Sequence, residues 1–310
     1  MKPIGKDKEN DLIKVKAVSI EELLSKEFPP RENILNPWLP TQGLTMIHGG
    51  RGVGKTHVGA GIAVAVTSGD RFLRWESKKA RGVLYIDGEM PAVVLQERLS
   101  SIINSADKEP TAPLMIINPD LQNHAMPNLA TLRGQEAIEP HLDGINLVIV
   151  DNISTLCRGG KESDGDDWQP IQEWALRLRI RGISILFIHH SGKSGSQRGT
   201  SRREDVLDTV IKLKHSGDYN PDEGAKFEVH FEKSRGIYGD DVKAFEAKLV
   251  STPDGKQIWT MKDMEESLTQ KVADLLNEGV EQKDIAELLG VYKGTVSKCK
   301  TKAKREGLLN

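Results

Sequence analysis

The octapeptide Gly49-Gly50-Arg51-Gly52-Val53-Gly54-Lys55-Thr56 constrains this chain more than any other stretch. It has the form G-x-x-x-x-G-K-[ST], in which the glycines let successive backbone N–H groups curl around a polyphosphate. Its flanks agree with it. The apolar run Leu44-Thr45-Met46-Ile47 predicts a buried strand, and His57 to Val66, rich in Ala, Val and Gly, predicts the helix that follows. A strand, a phosphate-binding loop and a helix in this order point to an α/β fold and aim the positive end of the helix dipole at the bound anion. The candidate nucleotide-binding residues therefore run from Gly49 to His57. Lys55 is expected to reach the β and γ phosphates, and the Thr56 hydroxyl to ligate Mg²⁺ at the start of the helix.

With 310 residues the chain has room for one large α/β domain and a small one. Its formal charge is −2, so a surface for nucleic acid has to be a local patch and not a property of the whole protein. Cys157 and Cys299, the only two cysteines, have neither metal nor redox spacing, which suits a reducing cytoplasm and argues against a disulfide framework. The longest apolar run, near Val58 to Val66, is too short to span a bilayer, so no membrane association is expected.

In chain order, residues 1–35 read as a polar N-terminal arm, with a capping-box pattern at Ser19 and Glu22 that opens a short helix over Ile20, Leu23 and Leu24. Residues 36–262 read as the core. Strands are expected at Gly43 to His48, Gly82 to Asp87, Leu114 to Asn118, Leu147 to Asp151 and Ile183 to His189, with helical patterns between them. Such alternation implies a mostly parallel sheet with helices on both faces and ligands at the carboxyl ends of its strands. From Val206 onward the pattern changes to strands and turns, at Val206 to Leu213, Phe227 to Lys233, Ala244 to Val250 and Gln257 to Thr260, which predicts an antiparallel extension. Residues 263–310 read as a small all-α domain.

Three further strand ends carry polar side chains. Asp151 closes the buried run Leu147-Val148-Ile149-Val150 and is placed to orient Mg²⁺ beside Thr56. Glu89, in Asp87-Gly88-Glu89-Met90-Pro91, is the candidate general base for an attacking water, with Asp87 as the fallback. The strand ending His189-His190 places one histidine where a γ phosphate is sensed; a metal half-site is the weaker reading, since no Cys or third His lies nearby in sequence.

Taken together, the phosphate loop, the Asp-Gly-Glu-Met turn, the Leu-Val-Ile-Val-Asp strand, the His-His strand end and Arg198-Gly199-Thr200-Ser201 resemble the RecA-like superfamily, specifically RepA-type hexameric helicases, over residues 36–262. This resemblance implies an ATPase with Lys55 and Thr56 on phosphate and metal, Glu89 as base, Asp151 on Mg²⁺ and His190 as γ-phosphate sensor. Phe231-Glu232-Lys233-Ser234-Arg235-Gly236 is similar to the Lys-x-Arg element of DnaB-like helicases, which implies that Lys233 and Arg235 reach a neighbouring subunit's γ phosphate; a solvated charge pair on a hairpin is the other reading. In the RecA-like scheme the loops after Asp151 and His190 face nucleic acid. The first departs from that scheme, with Glu162, Asp164, Asp166 and Asp167 against Arg158 and Lys161. The second carries Lys193, Arg198, Arg202 and Arg203 among Gly and Ser and suits the backbone of a single strand.

The C-terminal segment predicts three helices, over Gln270 to Gly279, Gln282 to Leu289 and Lys293 to Arg305. Ala286, Gly290 and Val296 fall at the spacings of a helix-turn-helix. Thr295, Ser297 and Lys298 would then face a DNA groove. Lys293, Lys298, Lys300, Lys302, Lys304 and Arg305, without one acid among them, make a footprint for phosphates. The expected protein is a cytoplasmic RecA-like ATPase that uses ATP and Mg²⁺, forms a homo-oligomer, by resemblance a hexamer, and binds single-stranded DNA through its ring and duplex DNA through its last helices. Replicative helicase leads; a helicase loader or recombination ATPase, or a DNA-binding regulator with little turnover, are the alternatives.

Overall fold

The computed structural model describes residues 15–28, 30–159, 168–191, 205–217, 219–220, 224–264, 268–305 and 307–309. Compactness divides the chain into Met1–Glu32 and Asn33–Asn310. In the first unit α1 (Ile20–Ser25) is a short helix, and Ser19 Oγ accepts the Glu22 N–H at 3.1 Å, half of the expected capping box. None of its residues is buried, and Ile20, Leu23 and Leu24 are exposed.

The second unit begins with β1 (Asn33–Leu35) and β2 (Leu39–Pro40), an antiparallel pair. Ile34 and Leu35 are fully buried, so the core starts at residue 33, three positions before the boundary the sequence suggests. Then come β3 (Leu44–Gly49), α2 (Lys55–Ser68), the ribbon β4 (Arg71–Phe72) and β5 (Trp75–Glu76), β6 (Gly82–Asp87), α3 (Ala92–Ser105) and β7 (Leu114–Ile117). Next are α4 (Leu132–Ile138), β8 (Ile145–Asp151), α5 (Ile153–Leu156), α6 (Gln169–Ile180) and β9 (Ser184–His190). The remaining strands are β10 (Thr209–Lys214), β11 (Lys226–Ser234), β12 (Phe245–Ser251) and β13 (Gln257–Asp263), followed by α7 (Leu268–Asn277), α8 (Gln282–Leu288) and α9 (Lys293–Arg305).

One nine-stranded sheet organises the unit, in the order β13-β12-β11-β10-β3-β9-β8-β6-β7. Pairing is parallel from β10 to β7 and antiparallel from β10 to β13. The expected antiparallel extension therefore begins one strand later than its sequence segment: β10 lies parallel to β3 on one edge and antiparallel to β11 on the other.

Strand periodicity divides the apolar residues between two layers. On β6, Val83 and Tyr85 join the core around α2, while Leu84 and Ile86 join the core that holds Trp174 and Leu178 of α6. The central strands are buried on both faces, as a parallel sheet covered by helices requires. α2 itself is buried almost all round, so its sequence is apolar without an amphipathic stripe. Its glycines permit close approach: a Cβ on Gly61 would run into the Phe72 ring, and one on Gly59 into Ile188.

The last three helices form their own small core of Val272, Ile285 and Val296, with Ala286, Leu289 and Val291 packed against it. No helix among the described residues is long and apolar enough to cross a membrane.

Candidate active site

The carboxyl ends of β3, β6, β8 and β9 lie side by side, because Gly49 pairs with His190, and Asp151 with both Asp87 and Ile188. Parallel pairing in this register is what assembles residues more than a hundred positions apart. The loop after β3 turns through Gly52 (φ 75°) and Gly54 (φ 101°), conformations that side chains with a Cβ resist. α2 starts at Lys55, and its first backbone N–H groups have no carbonyl one turn earlier to bond.

Lys55 is buried, and its Nζ donates to the loop's own carbonyls, Gly49 at 3.0 Å and Gly50 at 2.6 Å. Burial pushes this ammonium down to about 8, against the opposing pull of Asp151 and Glu89. A phosphate oxygen offers the ammonium a stronger partner than either carbonyl.

Asp151, at the end of β8, is 4% exposed, and burial raises its carboxyl to about 6 despite hydrogen bonds from Tyr85 and Thr56 that favour the ionised form. The Tyr85 hydroxyl donates to Asp151 Oδ2 at 2.7 Å. Thr56 and Asp151, the two expected metal residues, are therefore in contact. A buried carboxylate beside a hydroxyl suits a hard divalent ion that keeps waters and takes its remaining ligands from the phosphates.

Glu89 follows β6 on a turn held by Asp87. Asp87 Oδ1 accepts the N–H groups of Glu89 at 2.9 Å and Met90 at 3.1 Å, and Asn118 Nδ2 donates to its other oxygen at 3.3 Å. Asp87 is 1% exposed and occupied with these bonds, which hold the turn that carries Glu89. Glu89 remains half exposed, with Oε2 3.6 Å from His190 Nε2. That is beyond hydrogen-bond reach.

The closer partner of His190 Nε2 is the Asn152 amide Nδ2, at 3.1 Å. An amide NH₂ only donates, so Nε2 accepts, and the neutral ring carries its proton on Nδ1. Burial, then the Lys55 charge, push the ring below its usual range, which keeps it neutral near pH 7. His190 Nδ1 is buried with no hydrogen-bond partner among the described residues. This orphan N–H, the cradle at Gly52 and Gly54 and the Thr56–Asp151 pair fit a nucleotide triphosphate with Mg²⁺. Of the two histidines the sequence offers, this geometry favours His190 as sensor.

The remaining expected residues lie elsewhere. Arg51 is exposed on the loop and Val53 is buried beneath it. The His57 ring packs edge-on to Trp259 of β13, 5.4 Å between centroids, so its backbone is what it contributes to the loop. Lys233 Nζ, from the half-buried end of β11, and Arg235 Nη2, from the exposed residue just after it, converge on the carbonyl of Asp205, at 3.5 and 2.7 Å. Lys293, Ser297, Lys298 and Lys302 are exposed on α9, and Thr295 is half-buried. Lys193, Arg198, Arg202 and Arg203, like Lys161, Glu162, Asp164, Asp166 and Asp167, lie outside the described residues. Sequence reasoning missed Tyr85 and Asn152; a tyrosine in the otherwise aliphatic Val83-Leu84-Tyr85-Ile86 run and an amide directly after Asp151 were the available signals.

A family model described as an AAA domain matches residues 9–196. Two solved structures have a similar fold. A KaiC-like protein from the hyperthermophilic archaeon Pyrococcus horikoshii is 15% identical with a TM-score of 0.50, over 74% of this chain and 99% of that one. The flagellar accessory protein FlaH from Methanocaldococcus jannaschii is likewise 15% identical with a TM-score of 0.50, over 73% and 91%. Likeness at this identity concerns the fold alone.

Proposed function

Because the chain belongs to the AAA domain family and has the fold of a RecA-like P-loop ATPase, we propose that it is a ring-forming, DNA-dependent ATPase. In this reading it is a RepA-type replicative helicase that hydrolyses ATP at subunit interfaces. The observation that carries the ATPase part is the convergence of Lys55, Thr56, Glu89, Asp151 and His190 at adjacent strand ends. In this site Lys55 exchanges its loop carbonyls for phosphate oxygens. Glu89 takes the proton of the attacking water, and the His190 Nδ1–H donates to the γ-phosphate oxygens as charge develops on them. Mg²⁺, when held by Thr56 and Asp151, offsets the charge of the β and γ phosphates.

Two features support oligomerisation and DNA coupling. Lys233, at the end of β11, and Arg235, exposed just after it, converge on one carbonyl, which suits a charge pair offered to a neighbour's nucleotide. The three C-terminal helices present Lys293, Lys298 and Lys302 to solvent around a compact apolar core, which suits a helix-turn-helix on duplex DNA.

The test is the steady-state ATPase rate without DNA, with duplex and with single-stranded DNA, at a protein concentration that permits assembly. Stimulation by single strands is expected. Little turnover under every condition would overturn the helicase reading in favour of an ATP-switched loader or regulator.

A further inference from the structure

His48 is the last side chain of β3 before the phosphate loop, and the reaction described above does not use it. It is 1% exposed in the middle of the sheet, yet both ring nitrogens are engaged. Nδ1 lies 2.9 Å from Ser191 Oγ, and Nε2 lies 2.7 Å from Glu232 Oε2. Glu232 also pairs with Lys212 at 3.0 Å. An ionised carboxylate only accepts, so Nε2 carries the proton; in the neutral ring Nδ1 then accepts the Ser191 hydroxyl.

The partners of His48 mark the two ends of the proposed machinery. Ser191 directly follows the sensor His190, and its backbone N–H donates to the Gly49 carbonyl at 3.0 Å, the same carbonyl that Lys55 holds. Glu232 directly precedes Lys233 on β11, and β11 reaches β3 only across β10. Backbone pairing therefore gives β3 no direct contact with the strand that carries Lys233 and Arg235, and the His48–Glu232 bond supplies one. A buried polar side chain at a central strand position costs stability unless satisfied, and an apolar residue would fill the space without that cost.

We propose that His48, Ser191 and Glu232 are positioning residues that tie the nucleotide-facing ends of β3 and β9 to the end of β11 that bears Lys233 and leads into Arg235. The link sets that strand end for action on the neighbouring subunit's nucleotide. This inference rests on the reading of Lys233 and Arg235 as a finger acting in trans.

The experiment compares Glu232→Gln, His48→Phe and Arg235→Ala at assembling concentrations, and mixes Glu232→Gln subunits with Glu89→Gln subunits. A Glu89→Gln subunit lacks its own base but offers an intact finger; a Glu232→Gln subunit has an intact base and a misplaced finger. The expected result is kcat lowered about tenfold in Glu232→Gln and His48→Phe with KM for ATP unchanged, the scale on which a small misplacement costs rate. Mixing is expected to restore turnover above either variant alone, which a general loss of stability would not do. Wild-type turnover by Glu232→Gln beside an impaired Arg235→Ala overturns the link and leaves the finger standing. Loss of rate without rescue on mixing also overturns it, by placing Glu232 in its own subunit's site. Normal turnover by Arg235→Ala removes the finger itself, and the link with it.

Discussion

The phenolic hydroxyl of Tyr85 donates to Asp151 Oδ2 at 2.7 Å, from the neighbouring strand and from full burial. Burial drives the Asp151 carboxyl upward, and this bond is the first force in the opposite direction. Tyr85 thus holds the proposed metal residue in orientation and favours its charged form. The same burial, aided by the adjacent Asp151 charge, pushes the Tyr85 phenol well above its ordinary range, so it remains a donor at any working pH.

Tyr85→Phe keeps the ring and its packing and removes only the donor. The Mg²⁺ concentration for half-maximal ATP turnover is expected to rise about tenfold, in line with the loss of an outer partner of a metal ligand. A magnesium titration of turnover, with thermal melting as the control for fold, measures it. An unchanged magnesium requirement would show that Thr56 alone suffices to hold Asp151.

Glu89 and Asp87 are two residues apart and are expected to fail differently. Glu89→Gln retains the fold and nucleotide affinity and loses at least about a hundredfold in kcat, the usual size of a general base. Asp87→Ala strands the part-buried N–H groups of Glu89 and Met90 and leaves Asn118 Nδ2 with the Met90 carbonyl, at a cost of roughly 1–3 kcal/mol, because unsatisfied donors away from water are expensive. Melting and turnover measured together separate the two. A Glu89→Gln enzyme that hydrolyses at the wild-type rate would remove Glu89 from the chemistry.

Much of this site was legible because strand ends are legible. An apolar run that stops at Asp151, Asp87 or His190 marks the carboxyl edge of a parallel strand, and in such a sheet those edges converge wherever the strands fall in sequence. What the pattern does not carry is which strands are neighbours. The Tyr85–Asp151 and His48–Glu232 bonds depend on that order and span 66 and 184 positions. Periodicity reads His48 and Glu232 only as polar interruptions of their strands. Asp87 shows a related limit: a strand-end carboxylate looks the same in sequence whether it faces a ligand or accepts the N–H groups of its own turn.

Glu232 makes the stability of the protein depend on acid. Burial would raise its carboxyl, but the bonds and charges of His48 and Lys212 together hold it down to about 2, below its ordinary 4.5. A depressed carboxyl contributes its full stability above 4.5, and that contribution is lost as the pH falls from 4.5 toward 2. The side chain remains 35% exposed, so solvent screening discounts the contribution to about 1 kcal/mol. Denaturant melts of wild type and Glu232→Gln should differ by this amount at pH 7 and converge between pH 4.5 and 2. A difference that persisted at pH 2 would place the effect of the substitution in packing and not in charge.

The C-terminal helices offer the most direct separation of DNA binding from protein docking. If α9 lies against duplex phosphates, Lys298→Ala and Lys302→Ala each weaken binding to all sequences alike. Each should also lower the slope of log K against log salt by about 1, since one fewer counterion is released. Ser297→Ala, on the same exposed face but uncharged, leaves the salt slope unchanged and alters affinity only on duplexes whose base edges it touches. Val296→Asp serves as the structural control. Val296 is fully buried with Val272 and Ile285, and a carboxylate there dismantles the small core and removes binding altogether. Fluorescence anisotropy with labelled duplexes across a salt series reads all four variants. A binding curve insensitive to salt, or to both lysines, would assign α9 to a protein partner.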